Sequence, residues 1–570
     1  MKNIDLKISN LPENASATVS ESEADGILRF RIVIKPSTGR LGLKRLRLSF
    51  EIPSEGVAGC WYPRIRDHGF LPTWKQNYAS SYSSGAPVMS FYTSDGTNRL
   101  TTALSDCFNR WVFNSGANEN TGKLEFIALL DSFSGDEYTT ELFVDISSRP
   151  YYDSIRAAAD WWRSFYALPE IPASAFDPVF STWYVYHHDV NEELLLKCCE
   201  KAVGFGFKTL FIDAGWCVPD DSPGAMHAGD WKPYPGKFPD MRRFVDRIHS
   251  LGMKVVLWAA PCVAGFKSRA AELYAGKFLN DLSVINCHIL DPRYPEIRAN
   301  VCRDLCELVK TTGIDGLKLD FIDSVGGADC QPDAERDYSS VKAALRDMLE
   351  NLHRRLTALD PEFLIEFRQC YTGADITRCC NILRGGDCPQ DILSNRVNTV
   401  DLRLHTNSAV HADMVQFAPG EMAENSALQI VNILFSTPQI SVDLEKLTQR
   451  QADMLRFWMS FMSEKRGLLQ HSHISAHRCD ANFPVVEVEN DDEKLAVLYS
   501  EHLFRLRGDK KQYLINAFTD EDIVIQSDKY RVKVGISDCT GKPLYNELVM
   551  PDSLAALKIP LCGIAVITAE

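Results

Sequence analysis

From about residue 178 to 480 the chain alternates short apolar runs with amphipathic segments of helix length, and this alternation constrains the fold more than any other feature. The apolar runs include TLFIDAG, KVVLWAAP, GLKLDFID and FLIEFRQ, and helix candidates such as PEIRANVCRDLCELVKTTG lie between them. Strands that alternate with helices form parallel sheets covered by helices. Seven or eight such units predict an α/β fold, a (β/α)8 TIM barrel, which needs about 250 residues.

The segments on either side of the alternating region are β-rich. Runs such as RFRIVIK, LRLSFEI and KLEFIALL predict an N-terminal β-sandwich over residues 1–172, and YYDSIRAAADWWRSFYALP predicts a connecting helix. The barrel is expected over 173–483, and short runs such as KLAVLYS and YRVKVGI predict a small C-terminal β domain over 484–570.

Composition and charge exclude several classes of partner. A net charge of -15 without clustered Lys and Arg argues against nucleic acid as a partner. No apolar core of a secretory signal and no apolar run of membrane-spanning length is present, which predicts a cytoplasmic protein without a membrane partner. The 17 cysteines lack a framework or zinc-like spacing, so we expect neither disulfides nor a metal. No cofactor is expected, and self-association into a homo-oligomer is left open.

Acids end several of the predicted strands. Asp213 ends TLFID, Asp320 ends GLKLD, Glu366 falls in FLIEF, and Asp387 follows NILRGG. In barrels of this kind, catalytic groups project from the carboxyl ends of the strands. A carboxylate beside an apolar strand costs free energy unless something satisfies or uses it, so these positions predict a site.

Asp320 and Asp387 are the predicted catalytic pair. Cleavage of a glycosidic bond needs one carboxylate at the anomeric carbon and another that protonates the departing oxygen. Lys318 points the same way as Asp320 on an extended strand and would keep that carboxyl ionised, as a nucleophile requires. Asp387 follows two glycines in a loop, where we expect a raised pKa suited to a proton donor. Asp391 and Asp323 are competing acids for that second role.

The motif order resembles that of glycoside hydrolase family 36, the α-galactosidases or melibiases of clan D. The resemblance covers residues 175–420 and rests on these features in order: Trp183 with Asn191 and Glu192, FIDAGW, GDWKPYPGKFP, GMKVVLW, GLKLDF, and RGGD followed by Asp391. It implies that Asp320 is the nucleophile and Asp387 the acid/base. It further implies that Asp213, Trp258, Lys318 and Arg384 bind the sugar and that Cys370 and Thr372 line the pocket.

Two departures from the family pattern bear on the substrate. The family has two adjacent acids before Gly-Trp, which hold O4 and O6 of the sugar, whereas the second position here is Ala214. The family's Gly-rich stretch after the pocket cysteine is replaced by YTGADITRCC. A sugar that is modified at C6, or another α-linked pyranose, is therefore an alternative to galactose.

Several further residues are candidates of less specific type. Trp183 is a candidate sugar contact, although single tryptophans are more often packing residues. His411 and Asp413 alternate on a predicted strand and would point one way, which allows a substrate contact but does not define a metal site. An aromatic and basic cluster in the N-terminal domain is expected either to cover the barrel mouth or to form a solvated loop; its members are Trp61, Tyr62, Arg64, Arg66 and His68.

The leading functional hypothesis is a retaining α-glycosidase, α-galactosidase-like, that hydrolyses terminal α-linked sugars of oligosaccharides or glycosides. Within this class the alternatives are an arabinopyranosidase, an N-acetylgalactosaminidase, a glucosidase or a transglycosidase. A carbohydrate-binding barrel without catalysis is a second class, since the same fold can keep a pocket without chemistry. A lyase, aldolase or isomerase that uses Lys318 as a Schiff base is a third.

Overall fold

The structure is a computed structural model of the full chain. It describes residues 4–63, 75–219, 225–368, 370–501, 503–506, 510–518, 522–527, 532–549 and 553–569.

The N-terminal domain consists of two antiparallel sheets packed face to face. Their orders are β1-β4-β10-β9-β6 and β2-β3-β11-β8-β7-β5. Alternating residues such as Phe30, Ile32 and Ile34 fill one apolar core between the sheets. The strands are β1 (Lys7–Ser9), β2 (Ala15–Ala24), β3 (Ile27–Pro36), β4 (Leu41–Pro53), β5 (Val57–Trp61), β6 (Gln76–Ser80), β7 (Val88–Thr93), β8 (Asn98–Leu104), β9 (Trp111–Asn118), β10 (Lys123–Gly135) and β11 (Tyr138–Asp145).

A helix, α1 (Tyr151–Trp162), follows the sandwich where the sequence predicts a connector. It packs against both neighbouring parts of the chain. Trp162 Nε1 donates to the Leu104 carbonyl of the sandwich at 2.8 Å, and the Tyr151 hydroxyl donates to the Ala476 carbonyl at 2.6 Å.

Eight parallel strands form the barrel, in the order β21-β20-β19-β18-β14-β13-β12-β22. A parallel bridge between His411 and Thr437 closes the sheet. Three antiparallel strands, β15 to β17, make a side sheet in the connection between β14 and β18. The strands of this region are β12 (Val179–Ser181), β13 (Thr209–Ile212), β14 (Lys254–Ala259), β15 (Val263–Gly265), β16 (Phe278–Leu282), β17 (Cys287–Leu290), β18 (Gly316–Leu319), β19 (Leu364–Arg368), β20 (Ile382–Arg384), β21 (Ala409–His411) and β22 (Gln439–Ile440).

Helices surround this barrel, and their ends follow local sequence signals. Pro295 occupies the first turn of α6, and Gly313 ends that helix in a left-handed conformation with φ of +71°. The helices are α2 (Trp183–Tyr186), α3 (Glu192–Ala202), α4 (Met241–Ser250), α5 (Arg269–Leu273), α6 (Pro295–Thr312), α7 (Val341–Leu359), α8 (Ala374–Thr377), α9 (Ile392–His405), α10 (Ala423–Asn432), α11 (Gln449–Glu464) and α12 (Arg466–His471).

The C-terminal strands form a seven-stranded and a three-stranded sheet around a separate apolar core. The strand β23 pairs antiparallel with β24, so the larger sheet begins at His473. The strands are β23 (His473–His477), β24 (Val485–Glu489), β25 (Glu493–Leu498), β26 (Phe504–Arg505), β27 (Lys511–Asn516), β28 (Ile523–Ser527), β29 (Val532–Ser537), β30 (Pro543–Val549), β31 (Ser553–Leu557) and β32 (Ile564–Ala569).

The predicted fold, a barrel flanked by two β-rich segments, is confirmed. The apolar run VFSTWYVY at residues 179–186, which also predicts a strand, forms one only over Val179–Ser181 and continues as α2. A short apolar run fits a strand or a helical turn equally well by periodicity.

The sandwich and the barrel are joined by a buried hydrogen bond. Trp61 Nε1 on β5 donates to Asp401 Oδ1 on α9 at 2.8 Å, and Trp61 is 1% exposed. A buried carboxylate that loses a donor keeps its desolvation cost, so the contact stabilises this junction.

We expect Trp61→Phe to lower the free energy of unfolding by about 1–3 kcal/mol, because a smaller aromatic ring takes the place of the indole and the N–H donor to Asp401 is removed. Urea denaturation followed by fluorescence measures the change. An unaltered transition midpoint would show that the bond does not contribute to stability.

Candidate active site

The carboxyl ends of neighbouring barrel strands bring charged side chains together. Their positions follow from the strand ranges, since each is one of the last two residues of a strand or the residue directly after it. The residues at this edge are Asp213, Trp258, Lys318, Asp320, Arg368 and Arg384.

Asp320 is buried and held by three donors. Trp258 Nε1 donates to Oδ2 at 2.9 Å, the Phe321 amide donates to Oδ1 at 2.7 Å, and Arg368 Nε donates to Oδ1. Burial raises the pKa of Asp320, but Arg368 and Lys318 lower it by more, so the pKa lies below its ordinary value. The carboxyl is therefore ionised at neutral pH, as a nucleophile requires.

Arg368 is a functional residue that the sequence reasoning missed. It ends β19, is 7% exposed, and its Nη1 lies 3.5 Å from Asp387 Oδ2 while its Nε contacts Asp320. One guanidinium thus bridges the two predicted catalytic carboxylates. The available signal was the alternation of Glu366 and Arg368 in FLIEFR, which places both side chains on one face of the strand.

Asp387 follows β20 and is held in its ionised form. Arg384 Nη2 donates to Asp387 Oδ1 at 2.7 Å, and the Asp387 side chain is 47% exposed. Burial raises the pKa of Asp387, but Arg384, Arg368 and Lys318 together hold it far below its ordinary value. The expected raised pKa is therefore wrong, because the prediction did not place Arg384 and Arg368 against this carboxyl group.

Arg384 is the most buried cation of the site, at 1% exposure. It donates through Nη1 to Asp413, and its Nε lies 3.7 Å from Glu366 Oε1. Asp413 Oδ2 also accepts from the Tyr184 hydroxyl at 2.9 Å and from the Cys388 amide at 2.7 Å. Asp413 therefore holds both the Arg384 side chain and the backbone at Cys388, the residue after Asp387.

Lys318 pairs with Asp213 rather than with Asp320. Its Nζ donates to Asp213 Oδ2 at 2.7 Å, and Asp213 Oδ1 accepts from the Ala214 amide at 2.9 Å. Both side chains are buried. A lysine that is ion-paired in this way is suited to an electrostatic role and not to a neutral amine nucleophile.

His411 lies behind this charged cluster, where its Nδ1 is 3.4 Å from Oε2 of Glu366, the acid beside Arg384. Among the described residues, no ion pair or side-chain hydrogen bond joins Trp183 to the cluster. His411 is 1% exposed; its Nε2 donates to the Ala175 carbonyl at 2.7 Å and its Nδ1 accepts from Gln439 at 3.0 Å. Trp183 lies on α2, half-buried, with its ring against His187 and His188.

The two competing acids differ in their settings. Asp391 caps α9, where its side chain accepts from the Ser394 amide at 2.9 Å. Asp323 follows β18, and its pKa is raised by desolvation and by the charge of Asp320, although Arg368 opposes the rise. Cys370 Sγ lies 3.7 Å from Asp323 Oδ2. Asp323 therefore stays a candidate proton donor beside Asp387.

A cavity of about 530 Å³ lies next to this cluster, between the sandwich and the barrel. Cys370 and Thr372 line it, and Asp387 forms part of its wall. From the N-terminal cluster, Trp61 is buried on a strand, while Arg64, Arg66 and His68 lie outside the described residues.

Within the described ranges, no group of three or more His, Cys, Asp or Glu side chains could hold a metal ion. A search of the same ranges found no helix with the length and apolar character needed to cross a membrane.

We expect Arg384→Met to lower the free energy of unfolding by about 3–5 kcal/mol, because buried acids such as Asp413 would lose their cation. Arg384→Lys keeps the charge without the planar fork and should cost less. Urea denaturation of both variants measures the difference. Equal stability of the methionine variant and the unsubstituted protein would contradict a neutralising role for Arg384.

Known proteins resemble this chain both in sequence, through one family model and several curated relatives, and in fold. Residues 163–378 match the Melibiase family model, a range that contains Asp213, Lys318 and Asp320 and ends before Asp387. Among curated relatives, α-galactosidase Mel36A of Lactobacillus acidophilus is 26% identical over 147 residues, 25% of this chain. α-Galactosidase 1 of Pediococcus pentosaceus is 25% identical over 198 residues, 33% of this chain. The matched segments span only 20% and 26% of these relatives' own lengths.

Solved structures match over the whole chain. Variants of the family 36 α-galactosidase AgaA from Geobacillus stearothermophilus, in complexes with stachyose and with raffinose, give TM-scores of 0.66 and 0.65 at 13% identity. Each match covers 100% of this chain and 88% of the solved one. The predicted resemblance is therefore confirmed: the chain carries a Melibiase-family domain within the fold of the glycoside hydrolase family 36 α-galactosidases.

Proposed function

We propose that this protein is a retaining α-glycosidase, α-galactosidase-like, that hydrolyses terminal α-linked sugars of oligosaccharides or glycosides. The observation that carries the proposal is the pair of carboxylates, Asp320 after β18 and Asp387 after β20, on either side of Arg368 at the end of β19. The curated relatives are α-galactosidases by name, which supports the same class.

In the first step Asp320 attacks the anomeric carbon and forms a covalent glycosyl ester. Trp258 and the Phe321 amide fix the orientation of the carboxylate, and Arg368 keeps it ionised. A carboxylate of low basicity is also a good leaving group, which favours hydrolysis of the ester in the second step.

Asp387 donates a proton to the departing oxygen in the first step and accepts a proton from water in the second. Its ionised state between Arg384 and Arg368 suits the second step, in which it takes a proton from the attacking water. For the first step it must be protonated, so only the fraction of enzyme with a proton on Asp387 is productive. This requirement favours activity on the acidic side of neutrality.

The identity of the sugar rests on the glycone contacts. Asp213 and Lys318 offer one carboxylate and one cation to its hydroxyls, and Ala214 offers none. Galactose, arabinopyranose, N-acetylgalactosamine and glucose are the candidates, and transfer to a second sugar uses the same machinery. None of the 17 cysteines, all of which lie in the described ranges, forms a disulfide, and this supports a reducing, cytoplasmic location.

The first experiment measures hydrolysis of p-nitrophenyl α- and β-glycosides of these four sugars. We expect release from one α-glycoside only, with Asp320→Asn lowering kcat by at least about a thousandfold, because the amide cannot form the ester. Retention of configuration at the anomeric carbon, followed by NMR, tests the double displacement.

Asp391→Asn is the matched control, because asparagine also caps a helix and this acid lies outside the proposed machinery.

Asp387→Asn should slow cleavage of poor leaving groups by about 10²–10⁴-fold. A larger loss in Asp323→Asn would transfer the donor role to Asp323. Activity that survives in Asp320→Asn would remove Asp320 as nucleophile, and inactivity across all glycosides would favour the binding-protein alternative.

The pH profile of kcat/KM should move to higher pH in Arg368→Met. Arg368 lowers the pKa of both Asp320 and Asp387, so its removal raises both. The acid limb, which needs ionised Asp320, and the basic limb, which needs protonated Asp387, therefore shift in the same direction.

Arg368→Lys keeps the positive charge and should shift the profile less than Arg368→Met. A profile that stays in place, or that moves to lower pH, would show that Arg368 does not set these two pKa values.

A further inference from the structure

A second cavity, of about 370 Å³, lies at the amino ends of the barrel strands, opposite the candidate active site. Asn407 and Ser408 line it directly before β21, and Phe176 lines it shortly before β12. Helix α1 forms another wall, and the segment where α12 is followed by β23 forms a third. The volume falls within the usual range of about 300–1,000 Å³ for small-molecule sites. The cavity is therefore large enough for a small organic molecule.

Basic side chains are concentrated in this cavity. Arg156 lines it from α1, Arg163 from the residue that follows α1, and Arg403 from α9. The one acid among the described lining residues is Asp153, whose Oδ1 lies 2.6 Å from Nε2 of His473. Three arginines therefore share the cavity with a single carboxylate that already has a partner. This excess of cations is local, because the chain as a whole has a net charge of -15.

Arg403 forms no ion pair with a carboxylate among the described residues. Its Nη1 donates to the Phe435 carbonyl at 2.6 Å and to the Leu469 carbonyl at 2.7 Å, and its Nη2 lies 3.5 Å from the Ser472 carbonyl. Carbonyl dipoles orient the guanidinium group but supply no net charge. Burial and the neighbouring charge of Arg156 lower the pKa of Arg403 to about 10. The charge of Arg403 is thus uncompensated, and a bound anion would stabilise it.

Arg156 and Arg163 add two more guanidinium groups to the same cavity. Arg156 Nη1 donates to the Thr406 carbonyl at 2.5 Å, and its Nη2 donates to Asp160 Oδ1 at 3.0 Å. The Asp160 side chain is 56% exposed, so water screens much of its charge. Arg163 is exposed and has no ion pair or side-chain hydrogen bond with any described residue. Its guanidinium group is therefore open both to solvent and to a molecule that enters the cavity.

Apolar side chains complete the lining. Ile171, Phe176, Val410 and Phe435 contribute surface that cannot form hydrogen bonds. A cavity that combines guanidinium groups with apolar surface suits an anion that carries an organic group, because each part of such a molecule finds a matching wall.

We propose that this cavity binds a small organic molecule through an oxyanion group, a carboxylate or a phosphate, that pairs with Arg156, Arg163 and Arg403. The planar guanidinium group matches both oxyanions through two parallel hydrogen bonds, so this chemistry admits either source. No described lining residue belongs to the candidate active site, and the proposal does not depend on glycosidase activity.

Calorimetric titration of the full chain at constant ionic strength tests the proposal with three probes. Benzoate carries a carboxylate, phenyl phosphate carries a phosphate, and benzyl alcohol offers the same ring without a charge. We expect at least one of the two anions to bind with a Kd below about 1 mM. The anion that binds more tightly identifies the source. Benzyl alcohol should bind at least about tenfold more weakly than that anion, because it cannot pair with the arginines.

Arg163→Gln removes one cation from the cavity without breaking a described side-chain contact. We expect the affinity for the better anion to fall about two- to fivefold, because Arg163 is exposed and water screens its pairing. Arg243→Gln on α4 is the matched control, since Arg243 is exposed and lies outside the cavity lining. It removes the same charge and should leave the affinity unchanged.

Arg403→Lys keeps the positive charge and removes the planar fork. The affinity should fall at least about tenfold, since lysine forms fewer charge-assisted hydrogen bonds to an oxyanion. Thermal unfolding of this variant is measured alongside, because Arg403 also holds backbone carbonyls. If Arg403→Lys does not fold, the comparison of Arg163→Gln with Arg243→Gln decides the matter.

Three results overturn the proposal. The first is absent binding of both benzoate and phenyl phosphate. The second is binding of benzyl alcohol as tightly as either anion, which would make the site apolar rather than anionic. The third is equal affinity for the better anion in Arg163→Gln and Arg243→Gln, which would place that anion outside this cavity.

Discussion

Neutralisation of buried carboxylates by buried cations organises the whole catalytic edge of the barrel. Each of three buried acids has a cation from a strand end one or two strands away: Asp213 has Lys318, Asp320 has Arg368, and Asp413 has Arg384. An unpaired charge at this depth would cost several kcal/mol, so the positions of acids and cations depend on each other. The ionised state of the candidate nucleophile is therefore a consequence of the same pairing that allows the fold to bury the site.

The same pairing explains why the two candidate catalytic acids do not have opposite pKa shifts. Arg368 contacts Asp320 and approaches Asp387, so one charge lowers both pKa values. A proton donor must then be protonated against the local field, and a bound sugar that separates Asp387 from the arginines would ease that step. With Asp387 ionised, the site suits the water-activating half of the proposed double displacement.

The fold and the residues at strand ends can be predicted from local sequence signals, but the contacts between distant segments cannot. Strand ends are visible as apolar runs that stop at a charge, which located Asp213 and Asp320, whereas Arg384 was indicated by the family resemblance. The bridge made by Arg368 depends on β18 and β19 lying in register, with Lys318 beside Glu366, and a single strand does not reveal its neighbour. The wall contributed by the sandwich depends on contacts such as that between Trp61 and Asp401, which are 340 positions apart.

The number of free lone pairs on Asp213 limits how many hydroxyl groups of the retained sugar this proposed contact residue can accept. Its two oxygens already accept from Lys318 and from the Ala214 amide, and a carboxylate offers about four acceptor positions. Two positions are left for sugar hydroxyls. A second acid at position 214 would add about four further acceptor positions, whereas the Ala214 methyl group presents an apolar surface. If the chain is a glycosidase, the arrangement therefore favours a sugar with fewer hydrogen-bond donors at this wall than galactose would place there.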